Sequence, residues 1–278
     1  MKIWMLWTLA VLITIGAAYY QRVTGPTYPK KVKFEIFDSE EQFTFPRSFA
    51  GEKDCKLAFA IKDPSAQGKI YFKRFPSDDE WTVLEMTRTN DTLYGYLPNQ
   101  PPAGKLAYYI ELDTKFGVVN VEKEKPVIIR FRGDVPAWIF IPHVILMFVA
   151  MFFSNIAGLF AIAKKKMFRL WANISFILIA IGGMIFGPLM QKEAFGEYWT
   201  GVPNGWDLTD NKTLIAFIFW IAAFVLNIKK PRPVWVIVAS VVTLVIFSIP
   251  HSMFGSEFDY ESGKVVTGMV HLVMGYGL

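Results

Sequence analysis

The stretch "AWIFIPHVILMFVAMFFSNIAGLFAIAKKKMFR", residues 137–169, decides how the chain is read. Its first part, Ala137–Ala163, holds no Asp, Glu, Lys or Arg. That run exceeds the ~20 apolar residues a helix needs to cross a bilayer core. It ends on Lys164, Lys165 and Lys166, the kind of basic cluster that stays on the cytoplasmic side. Outward from it, similar runs occupy Phe168–Leu189, Thr213–Ile228 and Val234–Pro250, and Ile3–Tyr20 near the start. A last apolar stretch, Val265–Leu278, is short for a full crossing and reads as a half-helix or truncated sixth span. Gly16 and Ala18 would suit signal-peptide cleavage, yet Ile3–Tyr20 is read here as a retained anchor.

Charge orients these spans. The loops "AKKKMFR" (163–169) and "KKPRP" (229–233) contain seven Lys or Arg and no acid. Loops 190–212 and 251–264 contain three Lys and seven acids. The positive-inside rule puts the first pair in the cytoplasm and the second outside. With Lys2 inside, the N-terminus is cytoplasmic and residues 21–135 lie on the outer face, periplasmic if the membrane is a bacterial inner membrane. The formal charge of +5 does not imply nucleic acid, because residues 21–135 carry 18 basic and 17 acidic side chains and are almost neutral. The single Cys55 excludes an internal disulfide framework, a multi-cysteine metal site and a covalent haem-attachment motif.

Residues 21–135 read as an all-β module. "KVKFEIF", "CKLAFAI", "KIYFKRF", "WTVLEM", "TLYGYL", "KLAYYIEL" and "KPVIIRF" are short runs rich in Val, Ile, Phe and Tyr, separated by Pro, Asp, Asn and Ser clusters. Seven such strands in about 100 residues suit an immunoglobulin-like or fibronectin-III-like sandwich. "AGKLAYYIELDTKFG" resembles the late strands of fibronectin-III-like modules. The region has no His and no nucleophile–base pair, so docking or spacing is expected of it, and no catalysis. The expected fold class is therefore a membrane α-helical bundle of five to six spans with an inserted all-β sandwich on the outer face. Its domains are an anchor at 1–20, the sandwich at 21–135 and the bundle at 136–278.

The three histidines of the chain, His143, His251 and His271, all fall near the outer side in this topology. His271 lies about 10 Å into the last segment at the helical rise per residue. Ionisable residues at membrane depth are candidate functional groups, and imidazoles on opposing helices suit haem iron. Each could equally bond a neighbouring helix or interfacial water. The loop "EAFGEYWTGVPNGWDLTDNKT" (193–213) adds aromatic surface from Tyr198, Trp199 and Trp206, with Lys192 and Lys212 beside it. It is composed like a lid on the membrane surface, or like an ordinary interfacial aromatic belt. Asp210 is expected to cap the following helix. Met147, Met151, Met184 and Met190 read as lipid or core contacts.

The order of these features resembles the haem-handling membrane proteins of cytochrome c maturation that carry an outer-face WWD motif. Residues 142–252 bear the resemblance. "PHVILMFVAMFFSNIAGLFAI" is similar to their "HxxxMxxSYA" helix and sets His143 at the first histidine. Glu193–Trp220 is similar to the WGxYWxWD loop and its helix, matching Gly196, Tyr198, Trp199, Trp206 and Asp207. "IPHS" (249–252) sets His251 at the second histidine. Phe195 stands where the family has its first Trp, and "TGVPNG" lengthens the gap between Trp199 and Trp206. The family's usual "PKET" is "LTDNKT" here, and the inserted β-domain is foreign to it. The resemblance implies haem as cofactor, with iron on His143 and on His251 or His271, and Tyr198, Trp199, Trp206 and Asp207 around the ring. The competing expectation is a non-enzymatic membrane subunit whose β-sandwich docks a partner protein. A transporter is disfavoured because no acid or base lies deep in Phe168–Leu189, Thr213–Ile228 or Val234–Pro250.

Overall fold

The structure, a computed structural model, describes residues 2–36, 39–251, 253 and 255–266. The chain divides into two compact units. One holds the residues up to Pro26 and Val135–Ser256; the other holds Thr27–Asp134 and Glu257–Val266.

The first unit is helical: α1 (Ile3–Thr24), α2 (Ala137–Ile162), α3 (Phe168–Met184), α4 (Phe186–Phe195), α5 (Leu208–Asn227) and α6 (Pro233–Ser248). Helices α1, α2, α5 and the near-continuous α3–α4 pair are long and apolar enough to cross a membrane, and α6 is a shorter apolar helix. Pro233 opens α6 at its first turn, where a missing N–H costs no bond. Gly196 closes α4 in the left-handed conformation at φ +88°, its N–H donating to the Lys192 carbonyl.

α2 packs against α1, α3 and α6, and α5 packs against α3 and α6. Small residues permit the approach. A Cβ on Gly158 would sit 2.4 Å from Ser240 Oγ, and one on Gly183 would sit 2.7 Å from Thr213 Cγ2. In an apolar medium such close packing, with hydrogen bonds between helices, holds a bundle where the hydrophobic effect does not. Those bonds are present: Trp220 Nε1 donates to Thr243 Oγ1 at 2.8 Å, Ser240 Oγ to the Ser154 carbonyl at 2.7 Å and Asn155 Nδ2 to Thr14 Oγ1 at 2.9 Å.

The second unit is built from strands. Its largest sheet takes the order β3 (Ser48–Ala50), β11 (Val127–Arg132), β9 (Lys105–Thr114), β5 (Gln67–Arg74), β6 (Thr82–Glu85), with β10 (Gly117–Val121) also pairing β9. A second sheet runs β4 (Cys55–Ala60), β8 (Thr92–Leu97), β7 (Thr87–Thr89), and β1 (Lys30–Ile36) pairs β2 (Ser39–Phe45) as a hairpin. Alternate residues of all three bury into one core that includes Phe43, Phe45, Leu57, Phe59, Ile70, Leu93, Tyr108, Ile110 and Phe131. Period-two alternation is what one buried sheet face requires. Gly95 is needed where strands meet, since a Cβ there would fall 2.2 Å from Ile70 Cδ1.

All seven predicted runs form strands. The reading missed β2, β3, β7 and β10; the "SEEQFTF" of β2 looks too polar, yet Glu41 is buried with Phe43 and Phe45 on the inward face. It also differs at the end of the chain. Val265 and Val266 belong to a strand, β13 (Lys264–Val266), paired with β12 (Glu257–Asp259), rather than opening a sixth span. This hairpin clusters with the β unit and not with the bundle assigned to 136–278. Tyr260 Oη donates to Gln100 Oε1 at 2.9 Å and accepts from the Lys105 N–H at 3.1 Å, while Lys105 pairs with Glu257. Polar anchoring on β9 thus outweighed local apolarity. Residues 267–278 lie outside the described residues.

Candidate functional site

The helical unit contains a largely apolar cavity of about 180 Å³. Phe140, Val144, Phe148, Ile246 and Phe247 form apolar wall; His143, His251, Met147, Met190, Lys212, Gln21 and Thr213 make up the rest of its lining. His143 and Met147 are one helical turn apart on α2, and residues so spaced share a face. Both meet α3 at Gly182. His143 Nδ1 is 2.9 Å from the Gly182 carbonyl, and a Cβ on Gly182 would lie 3.1 Å from Met147 Sδ. A carbonyl can only accept, so Nδ1 carries the proton, leaving the Nε2 lone pair for a ligand. That arrangement is how metal-binding imidazoles are commonly oriented.

The second histidine is held through the backbone. α6 ends at Ser248, the chain turns into extended backbone at Ile249, and Pro250 leads to His251, which is exposed and lines the cavity. Lys212 is 4% exposed, and its Nζ donates to the carbonyls of Ile249 at 3.1 Å and Pro250 at 3.3 Å. Gln21 Nε2 reaches the same Ile249 carbonyl at 3.4 Å. Burial of an ammonium carries a large desolvation cost, which such charge-assisted bonds offset.

Lys212 belongs to the sequence "DLTDNK" (207–212), and the first turn of α5 uses nearly all of it to fasten other segments. Asp207, and not Asp210, is the N-cap: its Oδ1 accepts from the N–H groups of Thr209 and Asp210. Its Oδ2 accepts from Ser256 N and Oγ, each at 2.8 Å. Asp210 faces the aromatic loop instead, accepting from Thr200 N at 2.7 Å and Gly201 N at 3.1 Å. Asn211 Oδ1 accepts from Val202 N at 2.8 Å. Sequence reasoning identified capping here but assigned it to the wrong acid, because either can precede a helix and only geometry shows which one has orphan N–H groups in reach.

Of the residues singled out from sequence, His143 and His251 come together on one cavity. Tyr198, Trp199 and Trp206 are not on its lining; Tyr198 is 56% and Trp206 60% exposed, and Trp199 Nε1 donates within its own loop to the Val202 carbonyl. Asp207 is buried and fully engaged in capping and anchoring. His271 lies outside the described residues. Met147 and Met190, read as lipid or core contacts, line the cavity, as do Gln21 and Thr213. The one signal that could have found Met147 is its spacing from His143. Among the described residues no group of three or more His, Cys, Asp or Glu is arranged to hold a metal ion.

A haem can be tested against this lining. The ligand chemistry fits, with two imidazoles, two thioethers and no acid on the wall. The volume is smaller than the roughly 300–1,000 Å³ typical of ligand sites, so the cavity as it stands is too small for a whole porphyrin ring. Set against models of known protein families, curated proteins and solved structures, the chain matches none of them.

Proposed function

We propose that this chain is an integral membrane protein that holds haem iron near the outer face, with His143 and His251 as the protein ligands. The observation that carries the reading is the convergence of these two histidines on one apolar cavity, with His143 Nδ1 committed to the Gly182 carbonyl. Because a porphyrin carries its iron at its centre, binding would require the walls around His143 and His251 to part and widen the cavity around the ring. When bound, haem supplies one-electron chemistry. The chain's own residues ligate, orient and keep water from the iron's ligands, and no catalytic group is assigned.

Topology supports an outer-face position. The chain passes between its two units after α1, before α2 and after α6. A β-domain on one side of a bilayer requires those three helix ends to share that side, and the basic residues 164–166 and 229–232 lie at the far ends of α2 and α6. This is the arrangement the positive-inside rule gives, with a periplasmic immunoglobulin- or fibronectin-III-like sandwich. Purification in detergent after expression with ample haem, followed by oxidised and reduced absorption spectra, tests the proposal. A Soret band that His143→Ala and His251→Ala each weaken supports it. A colourless protein refutes it and favours the second reading, a subunit whose β-domain docks a partner.

A further inference from the structure

We infer that Lys212 is a positioning residue whose ammonium fixes His251 against the cavity. The inference rests on the reading of that cavity as a ligand site, but not on the ligand being haem. His251 follows α6 on a stretch whose described residues lack regular backbone bonds until β12. Helix geometry therefore does not set where its ring lies.

Two ties from the N-terminal end of α5 bracket it instead. Lys212 Nζ bonds the carbonyls of Ile249 and Pro250, the two residues directly before the histidine. Asp207 Oδ2 bonds Ser256 five residues after it. These carbonyls follow the end of α6 and belong to no helix or strand, so no regular backbone ladder supplies them with donors. A neutral donor such as Gln21, at 3.4 Å, gives a weak bond. The ammonium supplies two charge-assisted ones while its stem lies along the cavity wall. Thr213, the next residue in the helix, contacts Gly183 on α3, beside the Gly182 that orients His143. Adjacent residues of α5 thus reach the supports of both histidines.

The test compares wild type with Lys212→Met, which keeps the stem and removes the donors, Lys212→Arg, which restores them, and Gln21→Leu. Haem-loaded protein is examined by reduced-minus-oxidised absorption, and haem-free protein by mass spectrometry of diethyl pyrocarbonate modification at His251, with His143 as internal reference. The expected result is loss of the six-coordinate low-spin bands in Lys212→Met with their retention in Lys212→Arg. In haem-free protein His251 should react several-fold faster in Lys212→Met, His143 at an unchanged rate, and Gln21→Leu should shift His251 slightly in the same direction. A His251 rate that Lys212→Met leaves unchanged, or that Lys212→Arg fails to restore, overturns the inference. If wild type takes up no haem while the His251 rate still responds to Lys212, the haem reading fails and the positioning role stands.

Discussion

The two units of this protein place their buried charges differently: the β unit buries Glu41 and Arg130, and the helical unit gathers Lys212, Asp207 and Asp210 at one end of α5. The β unit closes on a core of Phe, Leu, Ile and Val in which the potentially reactive groups are inert: Cys55 packs as a small hydrophobe and the Tyr108 hydroxyl is spent on the Pro46 carbonyl at 2.8 Å. The helical unit, made of more apolar sequence, buries Lys212, Asp207 and Asp210 around one end of α5 and sets two imidazoles on a cavity. Burying such groups destabilises a fold unless each is paired. The described core of the β unit is dominated by apolar side chains, whereas the helical unit gathers its buried charges beside the cavity. Chemistry is therefore to be sought in the bundle.

The contrast can be broken or sharpened by substitution. The largest effect is expected in the β core: Phe59→Ala should destabilise that unit by about 3–5 kcal/mol. Limited proteolysis of the full chain should show faster cleavage within 27–134 with the absorption spectrum of the bundle unchanged. Next, Gly182→Ala forces a Cβ to within 2.8 Å of Leu146 Cβ and 3.1 Å of Met147 Sδ. Overpacking of this kind costs about 1–3 kcal/mol. It should displace the carbonyl that orients His143, so ligand spectra should shift more than thermal stability falls. Asp207→Ala removes an N-cap worth about 1 kcal/mol and unfastens Ser256, and a modest drop in melting temperature should accompany faster modification of His251.

A pH titration gives a smaller, signed prediction for the β unit. Burial pushes the Cys55 thiol up from 9.0 to about 11 and the Tyr260 hydroxyl up to about 12. An acid whose folded pKa is raised is stabilised in its neutral form. Its contribution is present below the unfolded value near 9 and is lost as pH rises through about 11. Denaturation of the full chain followed by β-sheet circular dichroism should show the loss in that window, and Cys55→Ala should reduce it. At neutral pH the folded thiol should resist alkylation. Smallest of all, Trp206→Ala should change stability by under ~0.5 kcal/mol, because its ring is mostly exposed.

Much of this was legible in the sequence where one physical signal dominated. Uncharged runs gave α1, α2, α5 and α6 and took α3 and α4 as one span, and short runs rich in Val, Ile, Phe and Tyr between turn clusters gave seven of the strands. Legibility ended where local pattern and distant partners disagreed. "SEEQFTF" conceals inward Phe43 and Phe45 behind polar neighbours. Val265 and Val266 look membrane-bound but join a hairpin fixed by Tyr260 and Glu257. The site was half visible: His143 and His251 stood out as rare ionisable groups. Lys212 resembled one more loop charge, because nothing in its neighbours announces the two carbonyls across the bundle that it holds. The aromatic residues drew attention by type, although Asp210 and Asn211, which fasten their loop, carry the structural information.

The most direct measurement is the oxidised and reduced absorption spectrum of the purified protein beside a His143→Ala, His251→Ala double variant. The account predicts a Soret band in the wild type that the double variant loses while remaining folded. A colourless wild type after expression with ample haem, or a band that survives both substitutions, would contradict it.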